Sequence, residues 1–172
     1  MAETVVYVSK TGFTERYARM LAERLGTRAL PLDEAVKSLG KGGDVVFCGR
    51  VRAERVCGLA KAARRFDVVC VCAVGATAPD GGKYARRLAS VNRVQVPLFY
   101  LRGGLDYSRM GGAEGALLRK LVPKVMGVGT DGATRKMFAE GGDFVSEENL
   151  ADVTAFLAKR GDGGAAWNAG TE

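Results

Sequence analysis

The chain carries four short runs that are apolar at nearly every position, at residues 5–8, 45–48, 68–74 and 97–101, each bounded by Gly, Asp or polar residues. Runs of that length suit strands buried on both faces, as in a parallel sheet covered by helices on either side. Helical periodicity fills the intervals. Phe13, Tyr17, Met20, Leu21 and Leu25 recur at helical spacing, Glu15, Arg16, Arg19, Glu23 and Arg24 fill the other face, and Gly26 supplies a C-terminal stop. Val56, Leu59, Ala60, Ala63 and Phe66 predict a second helix, and residues 84–91 a third. Leu150, Val153, Phe156 and Leu157 predict a last one, capped by Ser146 with Glu147 and Glu148 in its first turn. A weaker strand is expected around residues 27–32.

Strand and helix alternating on this scale predict an α/β, three-layer sandwich with a five-stranded parallel sheet in the order 2-1-3-4-5. Ligands of such sheets sit at the carboxyl ends of the strands, so the informative loops follow Val8, Cys48, Val74 and Leu101. No internal repeat or domain boundary interrupts residues 1–160. Residues 161–172 hold four glycines and the lone Trp167, and are expected to form a mobile tail.

Composition narrows the chemistry. The 172 residues, 47% hydrophobic and 26% charged, suffice for one domain with a sizeable core. The mean hydropathy of -0.01 and the lack of an apolar run near ~20 residues argue against a membrane span. No signal-peptide pattern precedes Thr4, so a cytoplasmic location is expected. Histidine is absent, which removes Ser-His and Cys-His nucleophiles and His-ligated metals together, and no metal site is expected. Hard chemistry then falls to a cofactor. Cys48, Cys57, Cys70 and Cys72 form no CxxC pair and read as reduced, buried packing residues.

The net charge of +7 is localised. Residues 50–93 hold ten Lys/Arg against Glu54, Asp67 and Asp80, so this one stretch carries the whole excess. It predicts a positive field for an anionic partner, with a solvated helix face as the ordinary alternative. Only Phe66 and Tyr84 are aromatic within it, which gives little support to stacking on single-stranded nucleic acid.

The first strand runs into Ser9-Lys10-Thr11-Gly12-Phe13-Thr14, where a helix begins. Three hydroxyls, a glycine in a tight turn and the free amides of a helix N-terminus make a phosphate cradle, although an ordinary strand-to-helix turn has the same ingredients. Competing motifs fit worse: no GxxxxGK[ST] occurs, and the strand ends Val8-Ser9 and Cys48-Gly49 lack the acids of a response regulator. Gly127-Val128-Gly129-Thr130-Asp131-Gly132 matches GxGxxG, yet it follows a helix-like stretch and precedes no clear helix.

The hydroxyl-rich loop within this α/β pattern resembles the FMN phosphate loop of the flavodoxin family. Lys83-Tyr84-Ala85-Arg86-Arg87, Arg102-Gly103-Gly104-Leu105-Asp106-Tyr107 and Thr130-Asp131-Gly132-Ala133-Thr134-Arg135-Lys136 resemble one branch of it, the flavodoxin-like, oxygen-independent protoporphyrinogen dehydrogenases. The likeness spans about residues 4–158. It implies that the loop Ser9, Lys10, Thr11, Gly12, Phe13 and Thr14 binds the FMN phosphate. It further implies that Gly49, Arg50, Val51, Arg52 and Ala53, with Val74, Gly75, Ala76 and Thr77, border the isoalloxazine. Arg50, Arg52 and Arg86 are the candidates for holding an anionic substrate.

After the fifth strand, residues 109–127 read as a basic amphipathic helix, with Leu117, Leu118, Leu121, Val122, Val125 and Met126 opposite Arg119, Lys120 and Lys124. The resemblance places this insertion near a membrane where a quinone accepts electrons; packing on the core is the alternative, and Pro123 would shorten or kink the helix. The expected function is an FMN-dependent oxidoreductase acting on protoporphyrinogen or a related anion, with a quinone or redox protein as acceptor. The peripheral contact would lie at the inner face of the membrane. The rivals are a basic one-electron carrier and a non-enzymatic binding module of the same fold.

Overall fold

A computed structural model describes residues 4–125 and 132–162. Its elements run β1 (Thr4–Val8), α1 (Phe13–Arg24), β2 (Ala29–Pro31), α2 (Leu32–Ser38), β3 (Asp44–Arg52), β4 (Arg55–Val56), α3 (Leu59–Arg65), β5 (Asp67–Gly75) and α4 (Lys83–Val91). They continue with β6 (Leu98–Arg102), β7 (Gly104–Leu105), α5 (Gly112–Val125), α6 (Gly132–Glu140), β8 (Gly142–Asp143), a 3-10 turn at Glu147–Leu150 and α7 (Ala151–Asp162).

The central sheet has the spatial order β2-β1-β3-β5-β6, all parallel, with β4 pairing antiparallel to β3. Alternate strand residues feed two cores. On one face Val5, Tyr7, Val46, Cys48, Cys72 and Val74 meet Tyr17 and Leu21 of α1 and Val153 and Leu157 of α7. On the other, Val6, Val45, Phe47, Val71 and Ala73 meet Leu32 and Ala35 of α2, Leu59 and Ala62 of α3 and Leu88 of α4. The result is three layers, held by side chains whose full burial contributes about 1.5–3 kcal/mol each for Val, Leu or Phe.

Several expectations change. The sheet has six strands rather than five, because β3 runs on past Cys48 to Arg52 and folds back on itself. Val51 pairs with Val56 and Arg52 with Arg55, so Val56, expected to start a helix, lies in a strand and α3 begins at Leu59. Numbered along the chain, the order is therefore no longer 2-1-3-4-5. A second sheet, β7 paired antiparallel with β8, and the helices α2 and α6 were not foreseen. Gly132 opens α6, so the GxGxxG stretch does precede a helix; it still follows α5 and no strand, and residues 127–131 lie outside the described residues. Gly161 and Asp162, expected in the tail, complete α7, and residues 163–172 lie outside the described residues. Cys48, Cys70 and Cys72 are buried as expected, and a hydrogen bond with Cys48, reinforced by burial, pushes the Cys72 thiol well up; Cys57 is only half-buried.

Candidate functional site

The loop after β1 owes its shape to Gly12. This residue is the N-cap of α1, with left-handed backbone at φ 93°, and no side chain caps the helix. A side chain at Gly12 would be strained there, and its Cβ would lie 2.9 Å from Arg109 Nη1. The Gly12 amide donates to Ser9 Oγ at 3.2 Å, which folds the loop over the uncapped first turn. Thr14 is buried at 2% exposure and Lys10 is exposed.

Three of the sequence-predicted segments converge on a cavity of about 90 Å³ at the carboxyl edge of the sheet. Lys10, Thr11, Phe13 and Thr14 line it from the first loop, Arg50 and Val51 from the end of β3, and Val74, Gly75 and Ala76 from the end of β5. The remaining predicted residues stand apart from its lining. Gly49 is buried in β3, where a Cβ would collide with Val56 Cγ1 at 2.5 Å, so its smallness admits the returning β4 arm. Arg52 pairs with Arg55 in the hairpin, and Ala53 sits at the hairpin tip. Thr77 accepts a 2.8 Å hydrogen bond from Tyr100 on its carbonyl. Arg86 is exposed on α4, near Gly82.

The stretch Gly49 to Ala53 is thus the rising arm of a hairpin and no loose loop. Its two tip residues, Ala53 and Glu54, both have positive φ, 46° and 61°, the backbone of a two-residue turn that ordinarily takes Asn and Gly. Asn92, just past α4, holds the tip in place. Its Nδ2 donates to the Glu54 carbonyl and to the Leu88 carbonyl, each at 2.8 Å, and its Oδ1 accepts from the Val56 amide at 2.9 Å. Arg87 Nε pairs with Glu54 Oε1 at 2.6 Å, and Arg55 Nη1 donates to the Val91 carbonyl at 2.9 Å.

The segment after β6 completes the cavity with Gly104, Leu105 and Met110, which sequence reasoning had not placed at the site. It is latched down on α1. Gly104 presses so closely on the Gly142 carbonyl and the Phe13 ring that a Cβ would collide with both. Arg16 pairs with Asp143, Tyr17 Oη donates to the Arg102 carbonyl at 2.6 Å, and the Arg102 guanidinium stacks 3.7 Å from the Phe144 ring centre. The Gly103-Gly104 pair was the available signal, since adjacent glycines mark close backbone approach.

Arg109 is the other residue that sequence reasoning missed. Its Nη1 donates to the Thr11 carbonyl at 3.4 Å, and its Nε faces Asp106 Oδ2 at 3.4 Å. Asp106 accepts hydrogen bonds from the Ser108 hydroxyl and amide, which hold its carboxyl below the usual range. A second, open cavity of about 580 Å³ adjoins the first and shares Thr11, Phe13 and Leu105 with it; Gly12, Arg16, Asp106, Arg109, Gly142 and Asp143 also line it.

Nothing in the inner cavity's lining is an acid, and its cations are Lys10 and Arg50. It can neutralise and orient an anion and shield it from water, and it offers no evident proton donor or acceptor pair for acid–base catalysis. Among the described residues no group of three or more Cys, Asp or Glu converges as a metal site. No helix among them is long and apolar enough to cross a membrane. In α5, Leu117 is 56% exposed and Lys120 is exposed; the side chains of Arg119 and of residues 121–125, and residues 126 and 127, lie outside the described residues. Compared with known protein families and with curated proteins, the chain matches none.

Proposed function

We propose that this chain is a flavodoxin-like FMN-binding oxidoreductase that takes electrons from an anionic organic substrate, protoporphyrinogen or a related compound, and passes them to a quinone or redox protein. The observation that carries the reading is the convergence of the Ser9-to-Thr14 loop with the ends of β3 and β5 at one edge of a parallel sheet. The loop fits a phosphate: Gly12 brings the backbone close, α1 begins uncapped, and Lys10 and Arg109 supply charge. Thr11 and Thr14 add hydroxyls.

The inner cavity as closed admits a phosphate-sized group, whereas a drug-sized ligand needs several hundred Å³, roughly 300 or more. Binding of the ring therefore calls for the Leu105–Met110 wall to move outward from the hairpin, toward the open neighbouring cavity. Bound FMN would supply the hydride and electron transfer that the protein's own side chains do not. The chain contributes position and field. Arg50 would stand beside the ring and favour its anionic reduced form, and the exposed Arg52 and Arg86 would draw in a carboxylate-bearing substrate. Exposed Leu117 and Lys120 on α5 suit a peripheral contact with an anionic membrane surface, where a quinone would be met.

A titration of the apoprotein with FMN, followed by quenching of flavin fluorescence, tests the first half. Saturable quenching is expected, and its absence overturns the reading. Anaerobic incubation of the FMN-loaded protein with protoporphyrinogen and a soluble quinone tests the second. Porphyrin fluorescence should rise above a protein-free control. No rise, with rapid electron exchange with a flavin reductase, replaces the dehydrogenase with the basic electron carrier.

A further inference from the structure

The basic stretch does more than border the candidate site. A third concavity, about 860 Å³, lies between α3 and the chain that leaves α4, on the opposite helical layer from α1. Its floor is apolar: the half-buried Val68, Val94 and Val96 and the exposed Ala60 and Ala63 line it, over the buried Val56, Leu59, Phe66 and Val71. Its rim is basic, with Arg55, Lys61, Arg64 and Arg93 against a single acid, Asp67. Two of these cations are already engaged, Lys61 with Asp33 Oδ1 at 2.5 Å and Arg55 with the Val91 carbonyl. Among the described residues, Arg64 and Arg93 carry no ion pair.

Arg93 is also the strained one. It sits just past α4 with φ 54°, a left-handed position where glycine is the ordinary choice, while the Arg93 amide donates to the Ser90 carbonyl and the Val94 amide to that of Ala89. A long cation held in a conformation that glycine would adopt without strain points to use of the cation itself. The groove's size then selects the occupant. The seven residues of α3 run about 10 Å, too short for a partner helix of several turns, and the volume lies in the range of small-molecule sites.

We propose that this groove binds a single-chain amphipathic carboxylate, its apolar tail on the valine-rich floor and its head group between Arg64 and Arg93. The proposal is independent of the flavin reading, since the two cavities share no lining residue.

Half-buried Cys57 lines the groove and serves as a reporter, because Cys48, Cys70 and Cys72 are buried. Decanoate is titrated into the full chain by calorimetry and against the rate at which Cys57 reacts with an aromatic disulfide reagent. Saturable heat and at least fivefold slowing of the thiol are expected, and methyl decanoate or inorganic phosphate alone should bind at least tenfold more weakly. Arg64→Glu with Arg93→Glu should weaken decanoate tenfold or more. Arg93→Gly separates the role from structure: it should raise or preserve the melting temperature while weakening decanoate several-fold. No protection of Cys57 by millimolar decanoate, or equal affinity for the ester, overturns the proposal. So does preference for an acidic peptide over decanoate, which would make the groove a protein-docking surface.

Discussion

Two turns with left-handed backbone flank the inner cavity, and they reach that backbone by opposite routes. At Gly12 the residue itself permits it: without a Cβ, φ 93° carries little strain, and the turn could form from local sequence alone. At Ala53 and Glu54 the residues resist it, at roughly 1–2 kcal/mol each, and the surroundings impose it through Asn92, Arg87 and the Val51–Val56 pairing. The first turn is a property of its sequence, the second a property of the fold. The cavity wall bearing Arg50 and Val51 is therefore only as firm as the clamp behind it.

Breaking the clamp gives the largest expected effect. Asn92→Ala leaves the Val56 amide and the Glu54 carbonyl without their partner, while the Leu88 carbonyl keeps the backbone amide of residue 92, and partly buried polar groups stripped of partners cost about 1–3 kcal/mol. A loss of about 2–3 kcal/mol in urea unfolding is expected, with faster amide exchange at Val56 and Cys57. Unchanged stability would mean that the hairpin holds its strained tip unaided.

Gly12→Ala should act on the glycine turn and leave the hairpin tip untouched. Left-handed strain of about 1–2 kcal/mol falls on the loop, and the new Cβ displaces the Arg109 guanidinium that lies 2.9 Å away. FMN affinity should drop at least tenfold while exchange at Val56 stays as in the parent chain. A parent-like flavin titration would show that the loop is no phosphate cradle.

The same contrast explains what the sequence could and could not reveal. The β1–Gly12–α1 unit was legible because apolar run, glycine and helical period lie within twenty-five residues of one another. Val56 was assigned to a helix because its spacing to Leu59 and Phe66 is helical, and nothing local announces that β3 continues through Arg50 and Arg52 or that Asn92 will meet it. The latch after β6 was hidden for the same reason: Arg16–Asp143 and Tyr17–Arg102 are contacts between distant segments. The uniformly apolar runs at residues 45–48 and 68–74 became β3 and β5, since burial on both faces leaves no competing pattern.

Arg109 belongs to the legible turn by contact and to the unforeseen latch by sequence, which makes it a useful intermediate. It is 63% exposed, so solvent weakens its pull. Arg109→Gln should weaken FMN about fivefold, roughly 1 kcal/mol, and leave riboflavin, which has no phosphate, unaffected. Equal losses for both ligands would place its influence on the ring side.

The smallest effect runs in the stabilising direction and tests whether the strain at the hairpin tip is real. Ala53 occupies the first central position of a two-residue turn whose φ of 46° suits asparagine, because a short amide side chain tolerates left-handed backbone better than a methyl group. Glu54 is left in place to keep its ion pair with Arg87. Ala53→Asn should therefore stabilise the fold by about 0.5–1 kcal/mol, read as a higher urea midpoint with an unchanged slope. In the Asn92→Ala background the gain should grow, because a tip that no longer has a clamp depends more on the preference of its own residues, and the two sites share the Glu54 carbonyl contact through which they couple. An equal gain in both backgrounds would mean that Asn92 and the tip act independently. No gain in either would remove the strain from the comparison and leave the hairpin as self-sufficient as the glycine turn.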